Sequence, residues 1–280
     1  RAMSPEAQRA FVLAMQALVN PSEQVVVVTP VWPNLTSQPV ILGAQLLTVC
    51  LQPQHGRWTL PMDQLLAAIT PQTRLLVVNS PNNPTGWTLS RQEQQTLLAH
   101  CRKTGTWILS DEVYENLYYR PSHNLCAPSF LDIAQADDRL VVAHSFSKSF
   151  LMTGWRLGYG VMSQQMVAAT VQLMGNSNSC TATFTQIAGI AALEGPQDPV
   201  DMMVREFKER RDVIVKGLNE IPGFTCTLPK GAFYAFPNVK ATGVPSKKLA
   251  DMILQEAGVA CLDGRGFGEL GFGGEGAGLP

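Results

Sequence analysis

Five side chains able to bind or activate a small molecule stand shortly after short apolar runs in this 280-residue sequence: Trp32, Asn83, Asp111, Tyr114 and Lys148. A lysine amine can serve as nucleophile and as proton carrier, while an acid, a phenol and an amide can hold or orient a ligand's polar atoms. Each residue alone has a plainer reading. A lysine is most often a solvated charge, Asp111 could cap a helix, and Asn83 before Pro84 could form a turn. Trp32 and Tyr114 could be packing. The chemical reading requires the five to share one location, and the elements before them supply it.

The runs 25–28, 46–49, 75–78, 106–109 and 140–143 read as short strands, the first a β-branched run typical of burial on both faces. Helical patterns cover about 5–19, 61–69, 90–102, 163–174, 183–193 and 199–219. Ser90 and Glu93 have the spacing of a capping box. Strands alternating with helices imply right-handed crossovers and a mainly parallel sheet covered by helices. In such a sheet ligands sit at the carboxyl ends of the strands, where Trp32, Asn83, Asp111, Tyr114, Ser145 and Lys148 all fall. From Phe224 the texture changes: 224–228 and 232–236 read as strands and 246–257 as a helix. The expected fold class is α/β, with a partial smaller α+β domain. Residues 1–200 form the large unit, and 201–280 the connecting helix and the partial small domain.

Ser145-Phe146-Ser147-Lys148, with Arg156 eight residues on in Thr153-Gly154-Trp155-Arg156-Leu157-Gly158, carries a resemblance. It resembles the pyridoxal 5′-phosphate (PLP) attachment signature of class I and II aminotransferases. The same resemblance covers Asn79-Ser80-Pro81-Asn82-Asn83-Pro84-Thr85-Gly86, Asp111-Glu112-Val113-Tyr114 and Gly231-Ala232-Phe233-Tyr234, in the family's order. It implies the PLP-transferase fold type I. It further implies that Lys148 forms the covalent link to the cofactor aldehyde and moves a proton, and that Asp111 keeps the pyridine nitrogen protonated. Tyr114 and Asn83 would bond the ring's phenolic oxygen, Ser145 and Arg156 the phosphate, and Trp32 would stack on the ring. Lys148, Asp111 and Tyr114 are the expected catalytic residues. Ala7 and Gln8, at the start of the first helix, stand at the family's phosphate loop.

Three departures accompany the match. Glu6 stands where the family prefers glycine, and a carboxylate there repels a phosphate. The family's N-terminal segment has no counterpart, and neither does its C-terminal arginine that clamps the substrate carboxylate; Arg265 lies in an earlier loop. The sequence therefore reads as shortened at both ends. The implied activity is transamination between an amino acid, aspartate-like or aromatic, and a 2-oxo acid, by a chain that is incomplete, weakly active or inactive. The alternatives are a β-lyase of carbon–sulfur type on the same cofactor, and a non-catalytic remnant or partner subunit. The family resemblance also implies a homodimer.

Bulk properties narrow the classes further. With 21 basic and 22 acidic residues the formal charge is −1, which offers no electrostatic footprint for nucleic acid or an anionic membrane. The longest apolar runs are too short to span a bilayer. Six scattered cysteines without a C-x-x-C pair read as free thiols of a cytoplasmic protein. The four histidines lack metal-ligand spacing, so no metal is expected.

Overall fold

The computed structural model describes residues 2–4, 7–54, 56–119, 126–177 and 179–268. In chain order they form β1 (Ala2–Ser4), α1 (Ala7–Leu18), β2 (Gln24–Thr29), α2 (Asn34–Ile41), β3 (Gln45–Cys50), β4 (Gln52–Gln54), β5 (Arg57–Thr59), α3 (Met62–Ala68) and β6 (Thr73–Asn79). There follow α4 (Arg91–Thr104), β7 (Trp107–Asp111), β8 (Leu140–Ser145), α5 (Phe146–Ser149), β9 (Gly158–Met162), α6 (Gln164–Ser177), α7 (Thr183–Glu194), α8 (Asp198–Glu220) and α9 (Ser246–Ala257).

Seven strands build one sheet in the order β1-β9-β8-β7-β6-β2-β3. The run from β8 through β7, β6 and β2 to β3 is parallel, while at the other edge β9 runs antiparallel between β8 and β1. The β-branched and leucine-rich strands suit burial on both faces. Val25, Val27, Leu75, Val77, Leu109, Val141 and Ala143 join the core under α1, together with Met166 of α6 and Met203 of α8. Val26, Val28, Leu76, Val78, Ile108, Leu140 and Val142 join the opposite core under α3 and α4. Side chains alternate along a strand, so the last residues of three central strands, Asn79, Asp111 and Ser145, continue the α1-side set. Among the described residues no helix is long and apolar enough to cross a membrane.

Helix ends follow their local chemistry. Ser90 and Glu93 complete the expected capping box on α4, and Gly105 closes that helix with φ of 75°. The run 46–49 forms the expected strand, β3, at the sheet edge, where it pairs with β2 and is largely exposed. One expectation needs correction. Residues 224–228 and 232–236 form no ladder: the first makes the isolated bridge Thr225–Asn238, and Gly231, just before the second, bridges Tyr118. Pro229 and Pro237 lack a donor, and Ala232 adopts a left-handed φ of 57°. The segment instead bonds to the loops after β6 and β7: Tyr119 N–H to Lys230 O at 3.0 Å, Ala232 N–H to Leu117 O at 2.8 Å, and Lys230 and Gly231 N–H to Gly86 O.

The basic stretch 205–211 is solvated except at its end. The Arg211 side chain is 11% exposed, stacks over the Tyr119 ring at 4.6 Å and donates to Pro229 O at 3.1 Å. The tail 271–280 lies outside the described residues.

Candidate active site

Four loops meet at the carboxyl edge of the sheet. After β6, the stretch 79–86 is tied by its own side chains. Asn79 Oδ1 accepts the Asn83 N–H at 2.7 Å, its amide donates to Asp111 O at 3.2 Å, and Asn82 Oδ1 accepts the Thr85 N–H and hydroxyl at 3.0 and 2.7 Å. After β7, Asp111 is 3% exposed and its Oδ1 accepts the Val113 N–H at 3.2 Å. After β8, Ser145 caps the single turn α5 by accepting the Ser147 N–H at 3.1 Å, which places Lys148 one turn beyond the strand end. After β2, Trp32 packs against the α1-side core.

One hollow of about 310 Å³ is lined by Trp32, Asn83, Asp111, Tyr114, Ser145, Lys148 and Arg156 together. Its size falls within the range of about 300–1,000 Å³ of small-molecule pockets. The Lys148 ammonium lies over the rings of Phe233 and Tyr114, at 5.4 and 6.0 Å from their centroids. Arg156 has a left-handed φ of 53°, and its guanidinium donates to Thr153 O. The side chains of Ala7 and Gln8, which open α1, and the whole of Glu6 lie outside the described residues. Arg265 is held by Asp263 through contacts of 2.8 Å and is not among the residues lining the hollow.

The electrostatics suit a charged guest. Burial pushes Asp111 up to about 7, against the Val113 N–H and the His144 charge that pull it down. Burial lowers Lys148, with the Asp111 charge acting the other way. Burial also raises Tyr114 well above the ordinary phenol value. Asn83 Oδ1 is buried without a hydrogen-bond partner. A carboxylate desolvated at the floor, the Tyr114 hydroxyl and Asn83 amide N–H as donors and a cation at the rim fit an aromatic guest with a cationic ring nitrogen, a phenolic oxygen and an anionic tether. These are the features of PLP.

The sequence left several neighbours without a role. Phe11, Asn79, Ser147 and Tyr234 also line the hollow. Tyr234 closes a stretch that matched the family, but nothing local shows that it meets Tyr114, 120 residues away, with their hydroxyls 2.6 Å apart. His144, near the end of β8, is 6% exposed, bonds Glu115 Oε2 at 2.9 Å and stacks on Tyr159.

The fold and this hollow define the PLP-dependent transferases of fold type I. Comparison with known proteins agrees. The family described as aminotransferase class I and II matches residues 2–276. The chain is 35% identical to an aspartate aminotransferase of Pyrococcus horikoshii, over 93% of this chain and 66% of that protein. It is 36% identical to an aspartate aminotransferase of Geobacillus stearothermophilus, over 94% of this chain and 67% of that protein. The solved aromatic aminotransferase of Pyrococcus horikoshii superposes with a TM-score of 0.90 at 30% identity, covering 99% of this chain and 72% of that one. This chain belongs to the class I and II aminotransferases, a PLP-dependent family. It spans about two thirds of the length of these curated relatives.

Proposed function

We propose that the protein is a PLP-dependent transaminase that moves an amino group between an amino acid and a 2-oxo acid. The observation that carries this reading is the single hollow shared by Lys148, Asp111, Tyr114, Asn83, Ser145, Arg156 and Trp32. Aspartate-like and aromatic amino acids are the first donors to test, because relatives bear those names. When bound, the cofactor supplies the electron sink that makes the substrate α-proton labile.

The protein's own groups divide the remaining work. Lys148 would hold the cofactor covalently and, once displaced, would carry a proton to and from the substrate carbon; burial lowers its pKa, in the direction that favours the neutral amine. Asp111 holds the proton on the ring nitrogen. Tyr114 and Asn83 bond the phenolic oxygen, and Trp32 covers a ring face and excludes water. Ser145 and Arg156 hold the phosphate, together with Ala7 and Gln8 at the N-terminal end of α1, where unpaired N–H groups favour an anion.

We read residues 1–200 as the cofactor-binding domain and 201–280 as the connecting helix and small domain. The exposed apolar face of α7 supports a homodimer. All six cysteines are free, which supports a cytoplasmic location. The test is spectroscopic and catalytic. Purified protein mixed with PLP should develop a visible-edge absorbance band that Lys148→Ala abolishes, and should exchange amino and oxo groups. Absence of the band at saturating PLP removes the reading.

A further inference from the structure

Tyr234 stands outside every role assigned above, yet it is built into the site. Its hydroxyl lies 2.6 Å from that of Tyr114, and the two rings meet edge to face at 5.7 Å and 84°. The segment carrying it is pinned on both sides of the left-handed Ala232, whose N–H donates to Leu117 O at 2.8 Å and whose carbonyl accepts the Tyr119 hydroxyl. Phe233 packs edge to face on Tyr114 at 5.5 Å. Tyr234 therefore reaches Tyr114 from a fixed backbone, and both line the hollow that holds Lys148.

Counting protons gives the pair a direction. Each phenol has one O–H and can also accept. Between the two oxygens only one hydrogen can lie. Once Tyr114 gives its hydrogen to an acceptor in the hollow, the short contact persists only if Tyr234 donates to Tyr114. A hydroxyl that accepts a hydrogen bond becomes a stronger donor, by about 10–30% per bond in a chain.

We propose that Tyr234 is a positioning residue for the cofactor: its hydroxyl donates to Tyr114, aims the Tyr114 hydrogen into the hollow and strengthens it as a donor to the ring's phenolic oxygen. The proposal rests on the PLP reading above. A donor on that oxygen drains the negative charge that holds the chromophore's proton, so the hydroxyl pair lowers the pH at which the bound cofactor changes colour.

The experiment is a pH titration of the visible absorbance of PLP-loaded protein in four forms: parent, Tyr114→Phe, Tyr234→Phe and the double variant. Phenylalanine keeps the ring packing, and circular dichroism checks the fold. Tyr114→Phe should raise the midpoint. Tyr234→Phe should raise it in the same direction by about 0.3–0.5 pH unit, two- to threefold in proton affinity. In the Tyr114→Phe background the second substitution should add nothing, because Tyr234 acts through Tyr114. A midpoint unmoved by Tyr234→Phe, or moved equally in both backgrounds, overturns the proposal while leaving the PLP reading intact. No band in the parent removes both.

Discussion

The Asp111 carboxylate accepts the Val113 N–H at 3.2 Å, and burial pushes its pKa up to about 7 in the cofactor-free protein. A carboxyl held above its unfolded value of about 3.9 costs nothing when both states are protonated. The cost grows as pH rises through the interval where the unfolded chain ionises and the folded one resists, and it levels off above about 7. Asp111→Asn should therefore stabilise the cofactor-free protein at pH 8 by about 2–4 kcal/mol, and the gain should vanish toward pH 4. Denaturant titrations of both proteins at several pH values read this directly; a gain independent of pH contradicts it. PLP should reverse the sign, since the variant loses the charge that faces the ring nitrogen.

At the scale of elements, the site depends on a joint between the turn 79–86 and the segment 229–231. Gly86 has φ of 66°, and a Cβ there would stand 2.4 Å from Pro229 Cβ and 2.8 Å from Gly231 O. A proline ring and a backbone carbonyl have little room to retreat, and the left-handed conformation is itself unfavourable for alanine. Gly86→Ala should cost roughly 2–4 kcal/mol, seen as a lowered denaturation midpoint. The same joint delivers Tyr234 to Tyr114, so PLP affinity should fall with it. Retained stability and retained affinity would show that the contact yields freely.

At the scale of the whole molecule, α7 turns its large apolar side chains outward. Thr185 and Gly189 face inward, and a Cβ on Gly189 would sit 2.4 Å from Leu157 Cδ2. Outward stand Phe184, Ile187, Ile190 and Leu193, 69%, 61%, 52% and 48% exposed. Contiguous exposed apolar surface marks a contact site. The homodimer proposal predicts that the parent elutes at twice the chain mass. Replacing Phe184 and Ile187 with glutamate should halve that mass without unfolding the chain, because neither side chain supports the core. Light scattering after size exclusion measures both; a parent of single-chain mass sinks the dimer reading.

Local rules in the sequence account for much of this architecture. Period-two burial fixes which face each strand residue takes, and so sends Asn79, Asp111 and Ser145 to one side of the sheet. Capping chemistry sets the start of α4, and helical periodicity gives α9 its observed bounds. Seven of the residues that line the hollow were readable because their motifs begin within a few positions of a strand end. What the sequence could not supply depends on distant partners. The edge position of β3, the docking of 229–236 onto 86 and 117–119, the burial of Arg211 over Tyr119 and the meeting of Tyr234 with Tyr114 each join segments that no local period relates. Backbone preference and hydrophobic pattern act over a few residues, so they determined the elements and the residues at their ends. Hydrogen bonding and packing between remote segments act only after collapse, so the tertiary structure alone decided which phenol faces which.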